Sequence, residues 1–238
     1  MQNEFINIAS HEMKTPTQAI LGYTKLMQRH PEKRDEMIQA ISRNASRLQR
    51  LTSDILDVTR IESGLLILNI ERFNLNQVIS DITNDYRNEL ERVDSIVKLI
   101  HERENEIIPV EGDKNRLTQV ISNLVGNATK FTTQGSITIG AKLEVGNDNV
   151  LVNVKDTGSG IDPEIMSRLF TKFVAKSNTG TGLGLFISKS IVEAHGGRIW
   201  ASNNHSLDRY NNDGKDGATF TFNIPSHRER LDHKKYDQ

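Results

Sequence analysis

Ala9-Ser10-His11-Glu12-Met13-Lys14-Thr15-Pro16 lies within a run of apolar positions at Phe5, Ala9, Met13, Pro16, Ile20, Tyr23 and Met27. The steps are all three or four residues, the spacing of a helix with one apolar stripe. His11 stands two positions from both Ala9 and Met13, roughly 200° round the axis from each. A core residue is the first reading of a lone histidine on a helix; here the spacing predicts His11 off the stripe and in water, and on this stretch alone it reads equally as a plain solvated histidine. Thr15, one turn on, shares its face. Glu12 lies one step round, where its carboxylate can touch whatever approaches His11 from the side. Taken singly, Glu12 reads equally as a solvated charge. Pro16 removes a backbone hydrogen bond and predicts a kink just past this point.

His30-Pro31-Glu32-Lys33 interrupts the helix. From Arg34 the pattern resumes through Ile38, Ile41, Ala45, Leu48, Leu51 or Thr52, Ile55, Val58, and Ile61 or Glu62, and Glu62-Ser63-Gly64 ends it. Two helices, each about 40 Å long at 1.5 Å per residue, make an antiparallel hairpin. A lone hairpin cannot bury both stripes. The economical arrangement is a homodimer whose two hairpins form a four-helix bundle. The domain boundary is expected between residues 66 and 67, leaving 1–66 as the hairpin and 67–238 as a second domain.

With 238 residues, the chain has length for one large or two small domains. Hydrophobic residues at 36% supply a core, and no apolar run reaches the roughly 20 residues a membrane span needs. A net charge of −1 gives no bulk attraction to nucleic acid. The absence of cysteine excludes disulfides, thiol catalysis and thiolate metal sites. No secretory signal precedes the first helix.

The second part mixes helices and strands. Asn69 to Phe73 is a transition. Leu75–Arg92 reads as a helix capped by Asn74, and Gly112-Asp113 opens another to Phe131. Ser95–Glu102, Ser136–Val145, Val150–Asp156, Arg198–Asn203 and Ala218–Ile224 read as strands, with a turn at Gly146–Asn149 and a loop at Asn204–Gly217. A helix follows Leu183 and stops at Gly196-Gly197. Without regular alternation, the expected fold class is α+β: the hairpin, then an α/β sandwich with helices on a mixed, mostly antiparallel sheet.

Three motifs here bear on ligands. In Asn123-Leu124-Val125-Gly126-Asn127-Ala128-Thr129-Lys130-Phe131, the polar groups Asn123, Asn127 and Lys130 share one helix face, opposite Leu117, Ile121, Leu124, Ala128 and Phe131. Amide oxygen is a hard ligand suited to Mg²⁺ beside phosphate, and lysine is a point charge for phosphate. A plain polar face remains the alternative. In Asp156-Thr157-Gly158-Ser159-Gly160, Asp156 continues the face of Val150, Val152 and Val154. A buried carboxylate needs a donor, and the adenine amine is one. Gly158 and Gly160 permit close ligand approach; an ordinary Asp-Gly turn is the other reading. Gly180-Thr181-Gly182-Leu183-Gly184-Leu185 leads into a helix whose first amides can face phosphate. No preceding strand makes it a dinucleotide fingerprint, and no P-loop occurs. The polar segment before it, Lys172 to Thr179, reads as a lid.

In order and spacing these motifs resemble the catalytic core of two-component sensor histidine kinases over almost the whole chain. His11-Glu12-Met13-Lys14-Thr15-Pro16 is similar to the phospho-acceptor box and Asn123–Phe131 to the N box. Asp156–Gly160 and Gly180–Leu185 are similar to the two glycine boxes, and Phe170 and Phe173 to the F box, although Lys172 stands where a proline is usual. The resemblance implies a dimerisation and phosphotransfer hairpin followed by a Bergerat-type ATP-binding domain. It implies ATP and Mg²⁺ as cofactors, with Asn127 the metal ligand and Asn123 and Lys130 phosphate contacts. Phe131 is the implied adenine neighbour and Asp156 the acceptor for the adenine amine. Gly158, Gly160, Gly180, Thr181, Gly182, Leu183 and Gly184 complete the nucleotide site, with Lys176 standing in for the arginine often found in the lid. Glu12 is the implied base for His11, and Thr15 the implied helper in dephosphorylating a response regulator.

The expected activity is ATP-dependent autophosphorylation of His11, then phosphoryl transfer to an aspartate of a response regulator receiver domain. Three rivals stand beside it: an ATP-driven conformational machine of the same nucleotide-binding superfamily, a non-catalytic dimerising scaffold, and a kinase for protein hydroxyls. The expected location is cytoplasmic, alone or as the cytoplasmic part of a larger membrane-bound sensor, with no nucleic-acid or membrane contact by this segment.

Overall fold

Two long helices open the chain: α1 over Gln2–Arg29 and α2 over Arg34–Glu62. A single 3-10 turn, Pro31–Lys33, joins them, with proline at its first position, where a missing N–H costs nothing. The structure is a computed structural model and describes residues 2–103, 107–144, 148–174, 181–204 and 217–226. On α1 the expected stripe faces inward: Ala9 and Pro16 are buried, and Phe5, Met13, Ile20, Tyr23 and Met27 half-buried. On α2, Leu51 and Val58 are buried, and Leu48, Ile55 and Ile61 half-buried. Its first half departs from expectation. The inward row passes through Met37, Ala40 and Asn44, while Ile38 and Ala45 are exposed. Asn44 can occupy the row because its Nδ2 donates to Ala40 O at 2.8 Å, satisfying the amide locally.

The chain falls into two compact units. The first comprises residues up to Leu66 with 181–187, and the second runs from Ile67 to Val174 and resumes at Ser188. In the second unit, β1 (Glu71–Asn74) and β3 (Pro109–Gly112) form a small antiparallel pair. The main sheet holds β2 (Val97–Arg103), β4 (Gly135–Leu143), β5 (Asn149–Asp156), β6 (Arg198–Asn203) and β7 (Ala218–Pro225), in the order β2-β4-β5-β7-β6. Only β2 and β4 run parallel. This is the mixed, mostly antiparallel sheet expected from the sequence.

Helices α3 (Leu75–Arg92) and α4 (Lys114–Phe131) pack on one face of that sheet. The strands alternate accordingly. Ile137, Ile139 and Ala141 on β4 and Val150, Val152 and Val154 on β5 are buried, while Ser136, Thr138, Asn153 and Lys155 point away. Both helices start where the caps predict. Asn74 accepts from Asn76 N, and the Asp113 carboxylate accepts from Arg116 N. A short helix, α5 (Pro163–Met166), follows the Asp156 loop. Helix α6 (Gly184–Ala194) ends before Gly196 at φ +76°. Residue 145 of the expected strand, 146–147 of the expected turn and 205–216 of the expected loop lie outside the described residues.

Candidate functional site

On the hairpin, the His11 side chain is 79% exposed, as its position off the stripe requires. Glu12 is held from the other helix. Its Oε2 accepts from Nη2 of Arg47 at 3.0 Å, and its Oε1 stands 3.8 Å from His11 Nδ1. The Thr15 hydroxyl turns back to donate to His11 O at 3.3 Å, so His11, Glu12 and Thr15 sit on neighbouring positions of α1. Arg47 carries no sequence motif. The only available signal was hairpin register: Glu12 and Arg47 lie nearly equal distances either side of the His30-Pro31 break.

Within the same unit, Thr181 Oγ1 donates to Asp54 Oδ2 at 2.8 Å and accepts from Leu183 N at 3.3 Å. Burial pushes the Asp54 carboxyl above its ordinary value, against the Thr181 hydrogen bond, and the Asp57 charge adds to the rise. Gly182 has φ +67°, Leu183 is fully buried, and Gly184 opens α6. The glycine turn therefore does lead into a helix. The Leu183 amide, however, is already engaged by Thr181 rather than free, and the Leu183 side chain is core. Lys176 and Gly180 lie outside the described residues, as does most of the expected lid.

In the second unit the first two ligand motifs meet. Asp156, 3% exposed, ends the buried row of β5. Its Oδ1 accepts from Gly158 N at 2.8 Å and Ala218 N at 3.2 Å, while no described residue donates to Oδ2. Burial pushes the carboxyl above its ordinary value and the two amides pull against that. The loop after it packs on the end of α4: Ser159 N donates to Phe131 O at 3.2 Å. A side chain at Gly158 would strike Phe131 O, and one at Gly217 would strike Asp156 O. Thr132 Oγ1, beside Gly158, is buried without a hydrogen-bond partner among the described residues.

Further groups that no motif flagged frame this loop. Asn203 pairs with the Ile161 backbone in both directions, at 2.6 and 2.7 Å. Asn204 Nδ2 donates to Asp156 O, and Gly217 N to Gly158 O. Gly160, at φ +70°, lies against Asn203 and Gly217. These partners flank the polar stretch 204–217, which gives no periodic signal.

On α4, Asn123 Nδ2 donates to Ser188 Oγ at 2.9 Å. Asn127 is half-buried and makes no hydrogen bond among the described residues, so its amide is available to a cation or its water shell. Lys130 Nζ lies 4.9 Å from the centre of the Phe131 ring, and that ring is 37% exposed. Among the described residues no cluster of three or more His, Asp or Glu could hold a metal alone. The buried carboxylate with an open oxygen, the cradle of glycines and the orphaned Thr132 hydroxyl together fit a purine. A separate groove of about 470 Å³ lies on the free sheet face between Lys142, Lys155 and Thr138. Asp156 does not line it, because along β5 its side chain points the other way.

Residues 1–64 match the His Kinase A (phospho-acceptor) domain, and residues 112–228 match the histidine kinase-, DNA gyrase B- and HSP90-like ATPase. The catalytic domain of histidine kinase ThkA is 32% identical, over 66% of this chain and 96% of that one, at a TM-score of 0.57. The chain belongs to the histidine kinase family. A structure of histidine kinase ThkA in complex with response regulator protein TrrA matches 95% of this kinase chain and 62% of its own, at 28% identity and a TM-score of 0.70. Hybrid signal transduction histidine kinase C of Dictyostelium discoideum is 36% identical across 93% of this chain, which spans 19% of that relative's length. No described helix of this kinase is long and apolar enough to cross a membrane.

Proposed function

We propose that this chain transfers the γ-phosphoryl group of ATP to His11 and then to an aspartate of a response regulator. The observation that carries the reading is His11 itself, exposed on α1 with a fixed carboxylate 3.8 Å from its Nδ1. Residues 1–66 serve as phosphotransfer hairpin and 67–238 as the nucleotide-binding domain. Asp156 accepts the adenine amine through Oδ2, Phe131 flanks the base, and Gly158 and Gly160 let the ring approach the backbone. Asn123 and Lys130 contact the phosphates.

A neutral imidazole nitrogen attacks phosphorus in line. The N–P bond forms as the bond from phosphorus to the β,γ-bridging oxygen breaks, and ADP leaves with that oxygen. Glu12 attracts the positive charge that develops on the ring and receives the proton from Nδ1. Asn127 is the residue that would hold Mg²⁺, which would supply positive charge to offset that of the phosphates. Thr15, on the same face as His11, suits the reverse task of orienting water on a phosphorylated regulator. The apolar residues left exposed on the hairpin, among them Leu21, Ile38 and Leu56, support a homodimer with a four-helix bundle. The proposed location is the cytoplasm.

The test is a chase. The chain is labelled with γ-labelled ATP, freed of nucleotide and mixed with a receiver domain. Label should leave the kinase and appear on the receiver in an alkali-labile form. Label that stays on the kinase against every receiver tried would contradict the second step.

A further inference from the structure

Arg47 lies outside every motif, yet it makes the shortest side-chain contact that Glu12 has. Its Nη2 donates to Oε2 at 3.0 Å, with Arg47 24% and Glu12 28% exposed. The second oxygen of the same carboxylate faces His11 Nδ1. One carboxylate is thus gripped on one side from α2 and presented to His11 on the other. A glutamate on an exposed helix face samples several rotamers, and a charge-assisted hydrogen bond to a guanidinium selects one.

We propose that Arg47 is a positioning residue: it fixes the Glu12 rotamer that sets Oε1 against His11, and through Glu12 it sets the rate of phosphoryl transfer to His11. The inference rests on the reading of His11 as the phospho-acceptor. The pair is half-buried and still open to water, and a single such ion pair adds only modestly to stability. The loss of Arg47 should therefore slow the chemistry without loosening the hairpin. Nor does Arg47 belong to the nucleotide site as assigned above, so ATP affinity should be unmoved. A lysine can supply the charge at this position but not the planar fork of donors.

The experiment is a double-mutant cycle on the full chain, with wild type, E12Q, R47M and E12Q/R47M, and with R47K alongside. Initial rates of acid-labile labelling are read at saturating Mg-ATP, together with the KM for ATP and the melting temperature. R47M should lower the rate about tenfold, with KM and melting temperature unchanged. R47K should recover part of the loss. In the E12Q background the added R47M should change the rate less than about twofold, because the route through Glu12 is already cut. R47K against R47M decides the same point should E12Q carry no measurable label. Equal rates for wild type and R47M would overturn the inference, as would an equal loss in the E12Q background or a rise in KM. A wild type without label would instead overturn the phospho-acceptor reading beneath it.

Discussion

Asp156 is a carboxylate held where burial opposes its charge, with Oδ1 taken by two backbone amides and Oδ2 by none. Burial raises its pKa in the folded chain above the unfolded value, near 3.9. The folded state therefore holds the proton more tightly. The favourable contribution is complete below the unfolded pKa and is lost as pH rises through the folded one, so at neutral pH Asp156 weakens the fold. Asp156→Asn keeps the Oδ1 acceptor and removes the buried charge. It should melt at or above wild type at pH 7, with the gap closing towards pH 4 in thermal scans. Its affinity for adenine nucleotides should fall at least about tenfold, because an amide nitrogen cannot accept from the adenine amine; unchanged affinity would remove Asp156 from the base site. Asp113 has the opposite sign. Burial works to raise it, but the amides of Asn69 and Arg116, with the charges of Arg116 and His195, hold it below the ordinary carboxylate value. Its contribution is present above the unfolded pKa and is lost only as pH falls through the folded one. Asp156 was legible from strand alternation alone. Arg47 was not, because its partner lies across the hairpin, and one-residue errors in register change which residues meet.

Among the elements, the helices were the most legible because their start signals are local. Asn74 both caps α3 and accepts from Ile108 N at 3.0 Å, tying the helix start to the chain entering β3. Asn74→Ala removes both bonds and should cost about 2 kcal/mol in urea unfolding. A value near zero would mean water replaces both. The strands β1 and β3, four residues each, were not legible from the sequence. They are too short to show an alternation, and their pairing joins segments nearly forty residues apart. The first half of α2 was misread by one position, because Asn44 faces inward by satisfying itself on its own backbone. The contact between the Asp156 loop and the end of α4 was equally invisible, although both motifs were recognised. Gly158→Ala tests it. Its new methyl must displace the loop from Phe131 O, and nucleotide affinity should fall together with a loss of about 2 kcal/mol of stability. A variant that is destabilised but binds normally would separate the loop from the ligand site.

At the scale of the molecule, a change of periodicity from three-and-four to two marks the end of the hairpin near residue 66, but nothing in the sequence marked residues 181–187 as belonging to the same compact unit. The hairpin leaves Leu21, Ile38 and Leu56 exposed, and the proposed homodimer would cover them. Sedimentation equilibrium should give twice the 26.9 kDa chain mass. Leu21→Glu, which puts a charge on that surface, should move the equilibrium towards the monomer. A monomer in the unsubstituted chain would remove the bundle from the account. The central claim remains that His11 accepts phosphate from ATP. Its most direct measurement is incubation of the chain and of His11→Ala with γ-labelled ATP and Mg²⁺, followed by acid and alkali treatment. The account predicts label that survives alkali, is lost in acid and is absent from His11→Ala, with nucleotide binding intact in both. Acid-stable label, or label persisting in His11→Ala, would contradict it.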